Sequence, residues 1–148
     1  MPHAGLMGDR DRGPVEGPLM RARLHVRGAK RRLRQGKIAA GIVTLYDALE
    51  AAMDSYAADD AHRAALLQVR PEDLKSTRRL YRALVSAGVL DKSFDFDAFD
   101  GLTDRALNEE LPGYDYAWVL TGLEDALTRL GVLPFQESSL PPEDPETY

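Results

Sequence analysis

Between Lys37 and Tyr56 the apolar residues Ile38, Ile42, Leu45, Leu49, Ala52 and Tyr56 recur in alternating steps of four and three. That spacing draws one stripe along a helix. Ala39, Ala40, Ala48 and Ala51 raise the helix propensity of the stretch, and Gly41 with the alanines leaves room for a close neighbour. Upstream, Leu19, Ala22, Val26, Ala29 and Leu33 form a narrower stripe, which predicts a helix over 19–35 with Pro18 at or before its first turn. Met20 and Leu24 fall off that stripe and mark a second contact surface, read here as a dimer contact. Only Gly36 and Lys37 separate the two patterns, so they should form an antiparallel hairpin.

Downstream the pattern weakens, with a short helical piece persisting to Gln68. A third helix is predicted from Pro71 and Glu72, burying Leu74, Leu80, Tyr81, Leu84 and Val85 and stopping at Gly88. Phe94 and Phe96 alternate with acids only briefly, as a strand would. Phe96, Phe99, Leu102, Leu107 and Leu111 fit a helix over 96–110 better, capped by Asp95. Pro112-Gly113 marks a turn. A last helix spans 115–130, with Asp115 as cap, Tyr116, Val119, Leu120, Leu123, Ala126, Leu127 and Leu130 as its apolar face, and Trp118 near the edge of that face. Gly131 is its natural stop. No strand pair and no repeat is visible. The fold class is therefore all-α: an antiparallel helical bundle of four long helices plus a short additional one.

This organisation divides the chain into a flexible N-terminal arm (1–17), a helical-bundle domain (18–133) and a Pro- and acid-rich tail (134–148). The arm mixes Gly, Pro and charge without period, and Met20 is a candidate natural start. The tail carries four prolines and four acids and should lack regular structure, with Phe135 or Leu140 pinning it to the bundle. A length of 148 residues suits one domain with a real core. There is no apolar run long enough for a membrane helix and no secretory pattern, which makes a cytoplasmic protein the default.

Charge changes the picture more than composition does. The net charge is −5, yet residues 18–37 hold eight basic residues and no acid, whereas 38–148 hold nine basic residues and twenty-one acids. Such segregation steers partners or pairs elements within one fold. Arg27, Lys30, Arg31 and Arg34 lie away from the first stripe. Clustered cations of this kind contact nucleic-acid phosphates or pair with acids of the last two helices. No aromatic residue interleaves with them to stack bases.

Candidate chemistry is sparse. Asp95, Asp97 and Asp100 suggest a calcium loop. Counting from Asp95, however, Asp100 stands where an EF-hand needs glycine and Ala106 where it needs glutamate. The expectation is a capping, solvated acidic turn and no metal. His3, His25 and His62 do not converge. With no cysteine and no Gly-x-Ser-x-Gly, phosphate loop or His-Glu-x-x-His, no catalytic residue and no cofactor is assigned. Asp59-Asp60, Glu109-Glu110 and Glu124-Asp125 are ordinary pairs of exposed helix surfaces.

The helical layout resembles the HEPN family of small helical bundles. The hairpin RQGKIAAGIVTLYDALEAAM is followed by STRRLYRALVSAGVL, then DAFDGLTDRALNEELPGYDY, then AWVLTGLEDALTRLG. The resemblance covers residues 19–133. It implies a dimer, and pairing with a nucleotidyltransferase partner of the toxin–antitoxin type. Active members are metal-independent ribonucleases with Arg, four to six residues, then His. No Arg stands at that spacing before His25 or His62, since Arg21 precedes His25 by only four positions. The resemblance therefore implies an inactive, partner-binding member. The function read from the sequence is a non-enzymatic protein acting through protein contacts, with RNA binding or processing by the basic helix face as the alternative.

Overall fold

A computed structural model describes residues 9–145, with side chains from Arg12 onward. Among the described residues the regular elements are all helical: α1 (Asp9–Arg34), α2 (Ile38–Ala58), α3 (Thr77–Ser86), α4 (Phe96–Asn108) and α5 (Ala117–Arg129). Short 3-10 turns occupy Asp60–His62, Pro71–Lys75 and Glu137–Ser139.

The pair α1–α2 is the base of the structure. The first stripe became buried as Ala22, Val26, Ala29 and Leu33, and the second as Ile38, Ile42, Leu45 and Leu49. The helices run antiparallel. At one end Gly41 lies against Leu33 and the carbonyl of Ala29, and at the other the buried Ser55 hydroxyl donates to the Val15 carbonyl at 2.7 Å. That second contact explains why α1 reaches further back than the stripe indicated. Its continuous part begins after Gly13, whose backbone (φ 84°, ψ −177°) leaves the helical region. Pro14 then takes a first-turn position, and Pro18 lies one turn inside the helix, where it withholds one N–H from the ladder.

The other helices gather around α2, which touches each of α1, α3, α4 and α5. Tyr46 of α2 packs on Phe96 and Phe99 of α4, with ring centroids 6.1 and 5.5 Å apart, and Tyr81 of α3 stacks on Phe96 at 4.6 Å. Burial pushes the Tyr81 hydroxyl up to about 12, with Asp91 and Asp125 adding to the effect. Tyr46 donates to Asp100 at 2.9 Å, and Arg78 reaches the other oxygen of that carboxylate at 2.6 Å.

The acidic turn resolves into caps and ion pairs. Asp95 accepts from the Ala98 amide at 3.0 Å, capping α4 as its sequence position implied. Asp97 pairs with Arg78 and Arg82. Among the described residues no cluster of three metal-ligating side chains occurs. Gly88 and Gly131 end α3 and α5 in left-handed conformations (φ 80° and 84°). The Val89 amide bonds back to Leu84 O and the Val132 amide to Leu127 O, both at 2.9 Å, closing the last turns as glycine at this position permits.

Two apolar expectations are corrected. Leu74, placed on the buried face of the third helix, is 51% exposed. Ser76 is extended and its hydroxyl accepts from the Arg79 amide, so the helix starts after Ser76 and Leu74 is left on a separate turn. Leu107, placed on the fourth stripe, is 64% exposed. Leu111 is buried from the turn that follows α4. The helical piece expected to reach Gln68 is only the turn Asp60–His62 followed by non-helical turns.

Gly41→Leu should destabilise the protein by about 1–3 kcal/mol in urea denaturation, because even a Cβ there meets Leu33 Cδ2 at 2.6 Å. Gly101→Ala, where nothing stands within 4 Å, should instead stabilise it by about 0.5–1 kcal/mol. Equal effects of the two changes would show that the α1–α2 approach is not the tight point.

Candidate functional site

The α1 positions that do not face α2 carry its cations, and the C-terminal segment folds back over part of that surface. Gly131 turns the chain at the end of α5, and Arg23 of α1 meets it there. The Arg23 Nε donates to the Val132 carbonyl at 3.0 Å, and its guanidinium lies 5.7 Å from the centre of the Phe135 ring. Further on, Leu140 is buried outside the central apolar cluster. Both residues expected to pin the tail thus contribute, and a three-residue 3-10 turn is the tail's one regular piece among the described residues.

Beyond Leu140, Glu143 spans two of the four candidate phosphate-binding residues. Its carboxylate accepts from Arg31 Nε at 2.5 Å, and its other oxygen lies 3.3 Å from Arg27 Nε. Arg31 is only 8% exposed. The carboxylate thus makes a charge-assisted hydrogen bond to Arg31 and an ion pair with Arg27, whose buried Nε has no hydrogen-bond partner among the described residues. The expectation that acids of the last two helices would neutralise these arginines was therefore right in kind and wrong in place. The partner comes from the tail.

Lys30 and Arg34 are different. Lys30 Nζ stands 4.0 Å from Glu124 of α5, with both side chains about half exposed, a pairing worth little in water. Arg34 is exposed and makes no ion pair among the described residues. Nearby, Arg32 donates to Thr44 of α2 at 3.4 Å. Burial lowers the Arg32 pKa, and Arg31 beside it acts in the same direction against the pull of Glu143.

Arg27, Lys30 and Arg34 line one wall of a groove of about 410 Å³ between α1, α5 and the C-terminal segment. Val26, Leu133, Pro134 and Phe135 supply apolar surface, and Thr128, Glu124 and Glu137 add polar and acidic lining. A volume of this size lies within the range of small-ligand pockets.

The remaining candidates are dispersed. Met20 and Leu24 are half-buried and do not belong to the central apolar cluster. His62 stacks on Tyr56 with centroids 3.6 Å apart, and its Nδ1 lies 2.9 Å from the Tyr56 carbonyl, a structural role. His3 lies outside the described residues. The sequence reading missed Glu143, although an apolar anchor at Leu140 just ahead of an acid, in a chain whose positive charge is concentrated in one helix, was a usable signal.

Glu143→Ala should cost about 1–3 kcal/mol in urea denaturation, since it leaves the buried Arg31 without this acceptor, and should speed amide exchange between residues 134 and 145. Unchanged stability together with unchanged exchange would show that Glu143 does not hold the tail on α1. Comparisons with family models, with curated proteins and with solved structures found no match.

Proposed function

We propose that this chain is a non-enzymatic, cytoplasmic helical-bundle protein that works through protein contacts as a homodimer. The observation that carries the reading is the position of Met20 and Leu24. They are half-buried, they stand outside the central apolar cluster, and helical geometry puts them on the side of α1 away from Ala22, Val26 and Ala29. The exposed Leu67, Leu74 and Leu107 stand apart, in the link after Asp60–His62, on the turn Pro71–Lys75 and on α4, as single apolar residues do on many surfaces. In this proposal the helices form an antiparallel four-helix arrangement. The HEPN-like layout adds a second partner, a nucleotidyltransferase, that would meet an inactive member of that family. No helix among the described residues is long and apolar enough to cross a membrane.

RNA binding is the second reading, and what favours it is the exposure of Lys30 and Arg34. Glu143 weighs against it, because it already occupies Arg27 and Arg31. Reversal of Arg27 or Arg31 would also release the tail, so Lys30→Glu with Arg34→Glu is the cleaner probe. Salt-sensitive RNA retention abolished by that double change would favour RNA.

Light scattering on the purified protein should give a dimer mass that falls to a monomer mass in Leu24→Glu while α-helical circular dichroism is kept. A monomeric mass for the unaltered chain at high concentration would overturn the dimer.

A further inference from the structure

The groove between α1, α5 and the C-terminal segment has a chemistry that neither protein contacts nor RNA binding requires. We propose that it binds a small amphiphile: a single anionic head group, carboxylate or phosphate monoester, on an apolar body.

A contact of the proposed kind is already made on the same helix. Arg27 and Arg31, one turn apart, hold the Glu143 carboxylate between them. Lys30 and Arg34 form a second pair at the same spacing, and both line the groove, as Arg27 of the first pair also does. Like charges four residues apart repel along a helix, and a bridging anion relieves that repulsion, as Glu143 does for the first pair. Among the described residues no carboxylate bridges the second pair. Its ion-pair partner among the described residues is Glu124, 4.0 Å from Lys30. Below these two cations the groove is floored by Val26, Leu133 and Phe135. The Arg23 guanidinium lies 5.7 Å from the centre of the Phe135 ring, a cation–π contact on the apolar surface. Its volume of about 410 Å³ accommodates a medium-chain or single-ring body.

The acids in the groove narrow the ligand further. Glu124, 4.0 Å from Lys30, and Glu137 also line the groove. They repel a polyanion that would run the length of the groove, but leave one anionic head at Lys30 and Arg34 tolerable. This separates the proposed ligand from a nucleic-acid strand.

The test is calorimetric titration of the full chain with octanoate, octyl phosphate, octanol and octylammonium, with NMR shifts to locate binding. The expected result is that octanoate, octyl phosphate or both bind at least tenfold more tightly than octanol, with shifts at residues 133–135 and along the groove side of α1. The tighter of the two anions assigns the head group. Lys30→Gln with Arg34→Gln, both at the surface, should weaken that binding about tenfold or more, the scale of a lost charge-assisted contact. Thr128→Trp, which fills the groove from α5 without changing any charge, should remove it. Thermal melts of both variants should match the unaltered chain. Octanol or octylammonium binding as tightly as the anions, anion binding untouched by the double change, or no binding by either anion would overturn the proposal.

Discussion

The structure depends on how closely α1 can approach α2. At Gly41 the second helix packs under the Leu33 side chain and close to the first helix's backbone: a Cβ would stand 2.6 Å from the Leu33 side chain and 3.3 Å from the Ala29 carbonyl. Ala22, Ala29, Ala48 and Ala52 are all buried without residual exposure. Small residues at these places exchange side-chain volume for backbone proximity, and dispersion contacts along two long helices then add up. Because α2 is covered by α1 on one side, its other sides are free to receive the aromatic cluster of α3 and α4 and the apolar face of α5.

That approach also decides where charge can go. With one side of α1 committed to α2, its cations must occupy the rest of its circumference. Burying Arg31 there requires an anion, and the C-terminal segment brings one. Glu143 closes the arrangement that begins when Gly131 turns the chain and Arg23 takes the Val132 carbonyl. The segregation of charge along the chain is thus partly spent inside the fold. What remains at the surface is smaller and more local: Lys30 and Arg34 beside an apolar groove, and Met20 with Leu24 further along the same helix.

Local signals in the sequence were the most readable. The stripes of α1 and α2, the Asp95 cap and the stops at Gly88 and Gly131 each rest on a few neighbouring residues, and the structure carries them. Legibility failed where a local alternative competed or where distant residues met. Ser76 was inside an apolar pattern, and its capping role separated Leu74 from the helix. Leu107 matched a stripe whose last turn faces solvent. The extension of α1 depends on Ser55, forty residues away, reaching the Val15 carbonyl. The candidate site followed the same rule. The four cations were visible as a group, but their division into a pair bridged by Glu143 and a pair lining a groove depends on where residues 131–143 return.

The central claim is that α1 and α2 form one cooperative scaffold and that the functional surfaces lie on elements added to it. Native-state hydrogen exchange tests this directly, because protection reports the opening free energy of each amide. Amides of α1 and α2 around Ala29, Leu33, Ile42 and Leu45 should exchange last and with a common opening free energy, while those of the C-terminal segment and the link 59–75 should exchange earlier through local opening. Exchange of α2 before α4 or α5, or separate opening of α1 and α2, would contradict the account.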